Sequence, residues 1–135
     1  MSRKIAAILL IIALAMVLFF TFQQPEQSRE LSETVRIWLE NIGISVEYKE
    51  LRSKVHILEY FIVGLAVCGF CRSRGWKAWI DLVAGCVIGV LDESIKVWLP
   101  GREFSFRDLI MDFAGIGVAI CFYVIVQGLR RLRQA

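Results

Sequence analysis

The chain opens with an apolar run, residues 5–22, in which Thr21 is the only polar side chain. Eighteen helical residues rise roughly 27 Å, close to the thickness of a bilayer's hydrocarbon core. Ser2, Arg3 and Lys4 precede the run, and no small-x-small cleavage pattern follows Phe22. Its length exceeds that of a signal peptide's apolar segment, so a retained anchor helix is expected. From residue 23 to residue 54 the pattern turns polar, with Pro25 placed to break the first helix and Ser28 to cap a second. Leu31, Val35, Trp38, Leu39 and Ile42 then recur at helical spacing, with Arg29, Glu30, Glu33, Arg36 and Glu40 on other faces and Gly43 at the end. An amphipathic helix over 29–42, lying on the membrane surface, is predicted.

Three more apolar stretches follow. Residues 55–71 open with His56 and Glu59 and close at the basic turn Arg72, Ser73, Arg74, Gly75, Trp76, Lys77. Residues 78–97 carry Asp81 near one end and Asp92 with Glu93 near the other. A polar turn with Pro100, Gly101 and Arg102 leads into 108–128, and Arg130, Arg131 and Arg133 finish the chain. The expected fold is all-α: a single domain over 1–135, an integral membrane four-helix bundle with an extracytoplasmic interfacial helix between its first two spans.

Composition agrees, with 57% hydrophobic residues among 135 and a mean hydropathy of +0.60. The net charge of +3 is spread over several helix-flanking groups, so a nucleic-acid partner is not expected. Its role is topological: short, densely basic segments stay on the cytoplasmic side. That places both termini and the turn at 72–77 in the cytoplasm of a multi-pass cell-membrane protein. His56, Glu59, Asp92, Glu93, Asp108 and Asp112 then all fall at the opposite, extracytoplasmic face.

Ionisable groups are costly inside a bilayer, and a cluster of them marks a functional site by default. Paired carboxylates beside a histidine can carry acid–base chemistry, although Ser94 and Ser105 are the only hydroxyl nucleophiles near the motif. A metal is not expected, because a single histidine makes a weak site; His56, Glu59 and Glu93 are the minor candidates for ligands. A purely structural alternative has His56 bonded to Glu59, and Arg102 reaching back to Asp92, Glu93 or Asp108 with its planar fork. Lys96, Arg102 and Arg107 add capacity for an anion, and Trp98, Phe104 and Phe106 suit the head-group layer. Gly85 and Gly89 form a GxxxG expected to mediate an internal helix contact. Cys68, Cys71, Cys86 and Cys121 read as small buried hydrophobes, and Asp81 is expected to pair with Arg74 or Lys77. A proton path from Asp81 to Asp92 would have to cross a wholly apolar stretch.

The string His56-Ile57-Leu58-Glu59-Tyr60-Phe61, with Gly64, then Leu91-Asp92-Glu93, Pro100-Gly101-Arg102, Asp108 and Gly115, resembles the VanZ-like family over residues 52–120. The resemblance implies a small bacterial envelope protein, some relatives of which contribute to low-level resistance to the lipoglycopeptide teicoplanin. It marks His56, Glu59, Asp92, Glu93, Arg102, Asp108 and Asp112 as site residues, supported by Tyr60, Lys96, Pro100 and Gly101. Lys96 stands where the family often has glutamine, and Asp112 where it often has asparagine. No nucleotide or coenzyme-A motif accompanies these residues, and no cofactor is expected. Three functions remain open: binding of a lipid-linked cell-wall precursor or lipoglycopeptide, hydrolysis or transfer at a lipid head group with His56, Glu59 and Glu93 as acid–base groups, and proton-coupled transport.

Overall fold

The computed structural model describes residues 2–23, 25–45 and 47–134, without the side chains of Pro25, Ser28 and Lys49. Within them the chain is all-helical: α1 (Arg3–Phe22), α2 (Pro25–Asn41), α3 (Tyr48–Ser73), α4 (Ala78–Lys96) and α5 (Phe106–Leu132). Three helices, α1, α3 and α5, are long and apolar enough to cross a membrane. Asp81, Asp92, Glu93 and Lys96 interrupt the apolar run of α4, although α4 is nearly as long as α1.

Local chemistry accounts for three of the helix starts. Ser2 caps α1 by accepting from the Ile5 amide at 3.3 Å, and Ser105 caps α5 by accepting from the Asp108 amide at 3.2 Å. Pro25 takes the first position of α2, where its fixed φ and missing N–H cost nothing. Ser28 therefore lies inside α2 rather than at its cap, and its side chain is outside the described residues. The turn before α5 needs Gly101, whose φ of +73° is left-handed. One boundary differs markedly from the hydropathy pattern: α3 begins at Tyr48, not near residue 55. Glu50, Leu51, Arg52 and Lys54 are good helix formers, and their charge counts against a bilayer without counting against a helix.

The four long helices alternate in direction. At one end Arg3 Nε donates to the Ser73 carbonyl and Arg72 pairs with Asp81, while at the other Thr21 meets Asp92 and Arg52 meets Asp108. The closest approach is between α3 and α5. A Cβ on Gly115 would stand 2.5 Å from the Ile57 carbonyl oxygen, and one on Gly64 would stand 2.6 Å from Ala119 Cβ. Gly85 and Gly89 serve the internal contact expected of them, facing Ile116 and Phe113 of α5. Ala6, Ala13, Val17 and Thr21 line one stripe of α1, and Ala13 and Val17 pack on Val63, Val67 and Cys71 of α3. Two cysteines depart from expectation, since Cys121 is exposed and Cys86 only half-buried. On α2, Leu31, Val35 and Trp38 remain exposed, and its contacts run mainly to α3.

Candidate functional site

The ionisable residues meet at one end of the helix packing, as their positions on the three helix ends predict. Glu59, Asp92, Glu93, Lys96, Asp108 and Asp112 are all buried, Glu93 and Asp112 completely. Lys96 Nζ bonds Glu93 Oε1 at 2.5 Å and Asp92 Oδ2 at 2.9 Å. Glu93 Oε2 accepts from the Ser105 amide at 3.0 Å, which ties the end of α4 to the start of α5. The other Asp92 oxygen meets the Thr21 hydroxyl, whose oxygen also lies 2.8 Å from the Val17 carbonyl. One hydroxyl proton serves one of these acceptors at a time.

A second set joins α3 to α5. Arg52 bonds Asp108 Oδ2 at 2.6 Å, and His56 lies between two carboxylates, with Nδ1 3.2 Å from Asp112 Oδ1 and Nε2 3.7 Å from Asp108 Oδ2. His56 thus pairs across the helix interface rather than with Glu59 on its own helix. The i,i+3 relation aligns His56 and Glu59 on one face of α3, but α5 supplies nearer carboxylates. Asp112 Oδ2 and the Tyr60 hydroxyl are buried without a hydrogen-bond partner. The oxygens that converge tightly are those of Asp92, Glu93 and Asp112, which lie within 4.8 Å of one another. That group differs from the His56, Glu59 and Glu93 combination considered from sequence, because Glu93 faces α5 and not the histidine.

Arg102 does not make the ion pair that the purely structural alternative gives it. Its guanidinium donates to the Phe20 carbonyl at 3.3 Å and to the Gln23 carbonyl, which closes the C-terminal end of α1. Helix ends leave carbonyls without intrahelical partners, and a cation there also matches the helix dipole. Burial, and after it the neighbouring Arg52, lowers the Arg102 pKa from its ordinary value, yet a guanidinium stays charged at neutral pH. Arg102→Ala is expected to speed amide hydrogen exchange at residues 20–23 and to cost about 1–3 kcal/mol, as charge-assisted hydrogen bonds do. Exchange at wild-type rates there would remove Arg102 from this capping role.

Above the buried groups lies an open cleft of about 730 Å³. Arg29, Arg52, Lys96, Arg102 and Arg107 line it, against the two carboxylates Glu103 and Asp108, with Tyr48, Phe104 and Ser105. Pro100 and Gly101 shape its rim by turning Arg102 inward, and Arg107 is steadied by Ser53 Oγ at 3.0 Å. The accessible part of the site is therefore predominantly cationic, with Glu103 exposed beside the arginines, and Asp92, Glu93 and Asp108 form a paired floor. Neither serine is set as a nucleophile: Ser94 Oγ donates to the Val90 carbonyl at 2.6 Å, and Ser105 is the cap of α5.

Three contributors escape the hydropathy pattern. Tyr48 and Arg52 fall in what reads as a polar linker, and Thr21 reads as the tail of an anchor. Arg52 carried a usable signal, because it precedes His56 by one helical turn. Thr21 carried one as well, at the end of the stripe through Ala13 and Val17. At the opposite end of the helices Asp81 pairs with Arg72 at 2.8 Å rather than with Arg74 or Lys77. Arg74 instead lies over the Phe70 ring. Between Asp81 and Asp92 the inward positions of α4 are Gly85, packed on Ile116, and Gly89, packed on Phe113, Asp112 and Tyr60, so α4 itself offers no polar side chain as a relay between them.

A protein-family model described as VanZ/LLP1 matches residues 6–127 of the chain. No curated protein and no solved structure matches it.

Proposed function

The chain belongs to the VanZ/LLP1 family, and from that premise we propose that it binds the phosphate-bearing head group of a lipid-linked cell-wall precursor in its arginine cleft. In doing so it alters susceptibility to teicoplanin-type lipoglycopeptides. In this reading the four long helices form a bundle in the cell membrane with both termini cytoplasmic. The cleft opens extracytoplasmically, and α2 lies in the interface with Leu31, Val35 and Trp38 in the lipid. The apolar face of α2 is uncovered by protein, as an interfacial helix requires. Exposed Trp98 and Phe106 flank the cleft in the layer where head groups lie.

One observation carries the proposal: five cations line a single cleft against Glu103 and Asp108, and although Arg52 and Lys96 already pair with Asp108, Asp92 and Glu93, Arg29, Arg102 and Arg107 have no carboxylate partner among the described residues. Guanidinium groups match phosphate with two parallel bonds, which favours a phosphorylated ligand over a neutral one. The hydrolase reading is weaker, since His56 is held between Asp108 and Asp112, and of the serines lining the cleft Ser53 accepts from Arg107 and Ser105 caps α5.

Purified protein in nanodiscs containing a polyprenyl phosphate provides the test. Arg29→Gln and Arg107→Gln are each expected to weaken binding about fivefold, from roughly 1 kcal/mol per arginine near a charged head group. Neither residue holds a buried carboxylate, so folding is spared. Lys77→Gln, at the far end of the helices, should leave the affinity unchanged. Equal affinity in all four proteins would refute an anionic ligand in this cleft. In a susceptible Gram-positive host, the same arginine variants should lose any effect of the wild type on teicoplanin sensitivity at matched membrane levels.

A further inference from the structure

Asp92 and Glu93 from α4 and Asp112 from α5 each direct a carboxylate oxygen to one small volume, within 4.8 Å of the others. Hard oxygen donors from two rigid helices, gathered at that distance, are of the type that a magnesium- or manganese-type ion takes. A cluster of acids is common without an ion, but here two further polar atoms are left over. Asp112 Oδ2 and the Tyr60 hydroxyl are fully buried and bond to nothing. Both side chains pack against Gly89, the Tyr60 ring and Asp112 Cβ each lying 3.6 Å from where a Cβ there would stand. An ammonium satisfies part of this set: Lys96 Nζ reaches Glu93 and Asp92, and His56 takes the remaining Asp112 oxygen. Lys96 also lines the arginine cleft. Of its three protons, two are used on the carboxylates and the third is available to a ligand.

We propose that the Lys96 ammonium stands in the place of a divalent cation, bridging the buried carboxylates to an anionic head group, and that removing it uncovers a divalent-cation site formed by Asp92, Glu93 and Asp112. The bridge rests on the anionic-ligand reading above, whereas the latent ion site does not. A metal ion in such a position neutralises carboxylates on one side and a phosphate on the other. A lysine does the same with one charge, fixed to the chain and independent of ion supply.

The test uses the full chain in nanodiscs with two readouts. The first is Mn²⁺ uptake, measured by electron paramagnetic resonance without any lipid phosphate probe. Wild type should take up no Mn²⁺ at this site, Lys96→Gln should bind about one ion, and Lys96→Gln combined with Asp112→Asn should lose it. The second is binding of polyprenyl phosphate. Wild type should bind equally in EDTA and in Mn²⁺. Lys96→Gln should bind about tenfold more weakly in EDTA, as expected for a lost charge-assisted bond, and recover in Mn²⁺. If Lys96→Gln does not stay folded in metal-free buffer, rescue of its thermal stability by Mn²⁺ is the same result, and absence of rescue overturns the proposal. Wild-type binding that requires a divalent ion, or a folded Lys96→Gln that takes up no Mn²⁺, also overturns it. If wild type binds no polyprenyl phosphate at all, the head-group function and the bridge both fail, and Mn²⁺ uptake alone decides the latent site.

Discussion

Gly115→Ala is expected to be among the most damaging single-methyl changes in this chain, whereas Gly117→Ala, two residues away, should be neutral or slightly stabilising. The added Cβ at 115 would stand 2.5 Å from the Ile57 carbonyl oxygen and 3.0 Å from the Phe61 amide nitrogen. Those are backbone atoms of α3, which cannot rotate away, so the helices must separate along their most extensive contact. Overpacking typically costs about 1–3 kcal/mol, and the upper part of that range applies where the obstacle is main chain. At 117 nothing lies within 4 Å, and alanine then keeps its helix advantage of roughly 0.5–1 kcal/mol over glycine. Reversible unfolding in mixed micelles, followed by far-ultraviolet circular dichroism, should give shifts of opposite sign. Equal shifts would mean that α3 and α5 do not cross at Gly115. Separation there also moves His56 and Arg52 away from Asp108 and Asp112, so head-group binding should fall with stability.

Glu93→Ala has the second large effect. Glu93 is fully buried and uses both oxygens, one on Lys96 and one on the Ser105 amide. Truncation leaves Lys96 with Asp92 as its one remaining carboxylate contact and strips the Ser105 amide of its acceptor at the start of α5. Breaking a buried pair from one side costs about 3–5 kcal/mol, because the partner stays charged and poorly compensated. Glu93→Ala with Lys96→Met should therefore be more stable than Glu93→Ala alone, a coupling that a double-mutant cycle measures directly. Additive losses would show that the ammonium is not held by Glu93. Loss of the Ser105 contact separates this effect from a simple charge change, since Glu93→Gln keeps an acceptor for the amide and should be milder.

The pairing of His56 with Glu59 that a purely structural alternative gives is not the one formed, for a definable reason. Sequence spacing reports which residues share a face of one helix, and says nothing about what the facing helix brings. Asp112, fifty-six residues away, lies 3.2 Å from the imidazole once α5 packs on α3. The same holds for Arg102, whose local turn was readable but whose partners are carbonyls of a helix some eighty residues earlier. Hydropathy places the start of α3 too late, because it measures affinity for lipid and residues 48–54 are helical without being apolar.

Determined by the sequence alone were the approximate positions of the long helices apart from the start of α3, the polar break after α1, the amphipathic character of α2, and the gathering of His56, Asp92, Glu93, Asp108 and Asp112 at one end. These follow from periodicity and from the alternation of direction that short turns impose. Only the tertiary structure decided which charges pair, that the carboxylates are the floor and the arginines the opening, and that Thr21 and Arg102 bind α1 into the site. Pairing depends on distances of a few ångströms between segments far apart in the chain, set by how closely Gly64 and Gly115 let two helices approach, and no one-dimensional pattern records that distance.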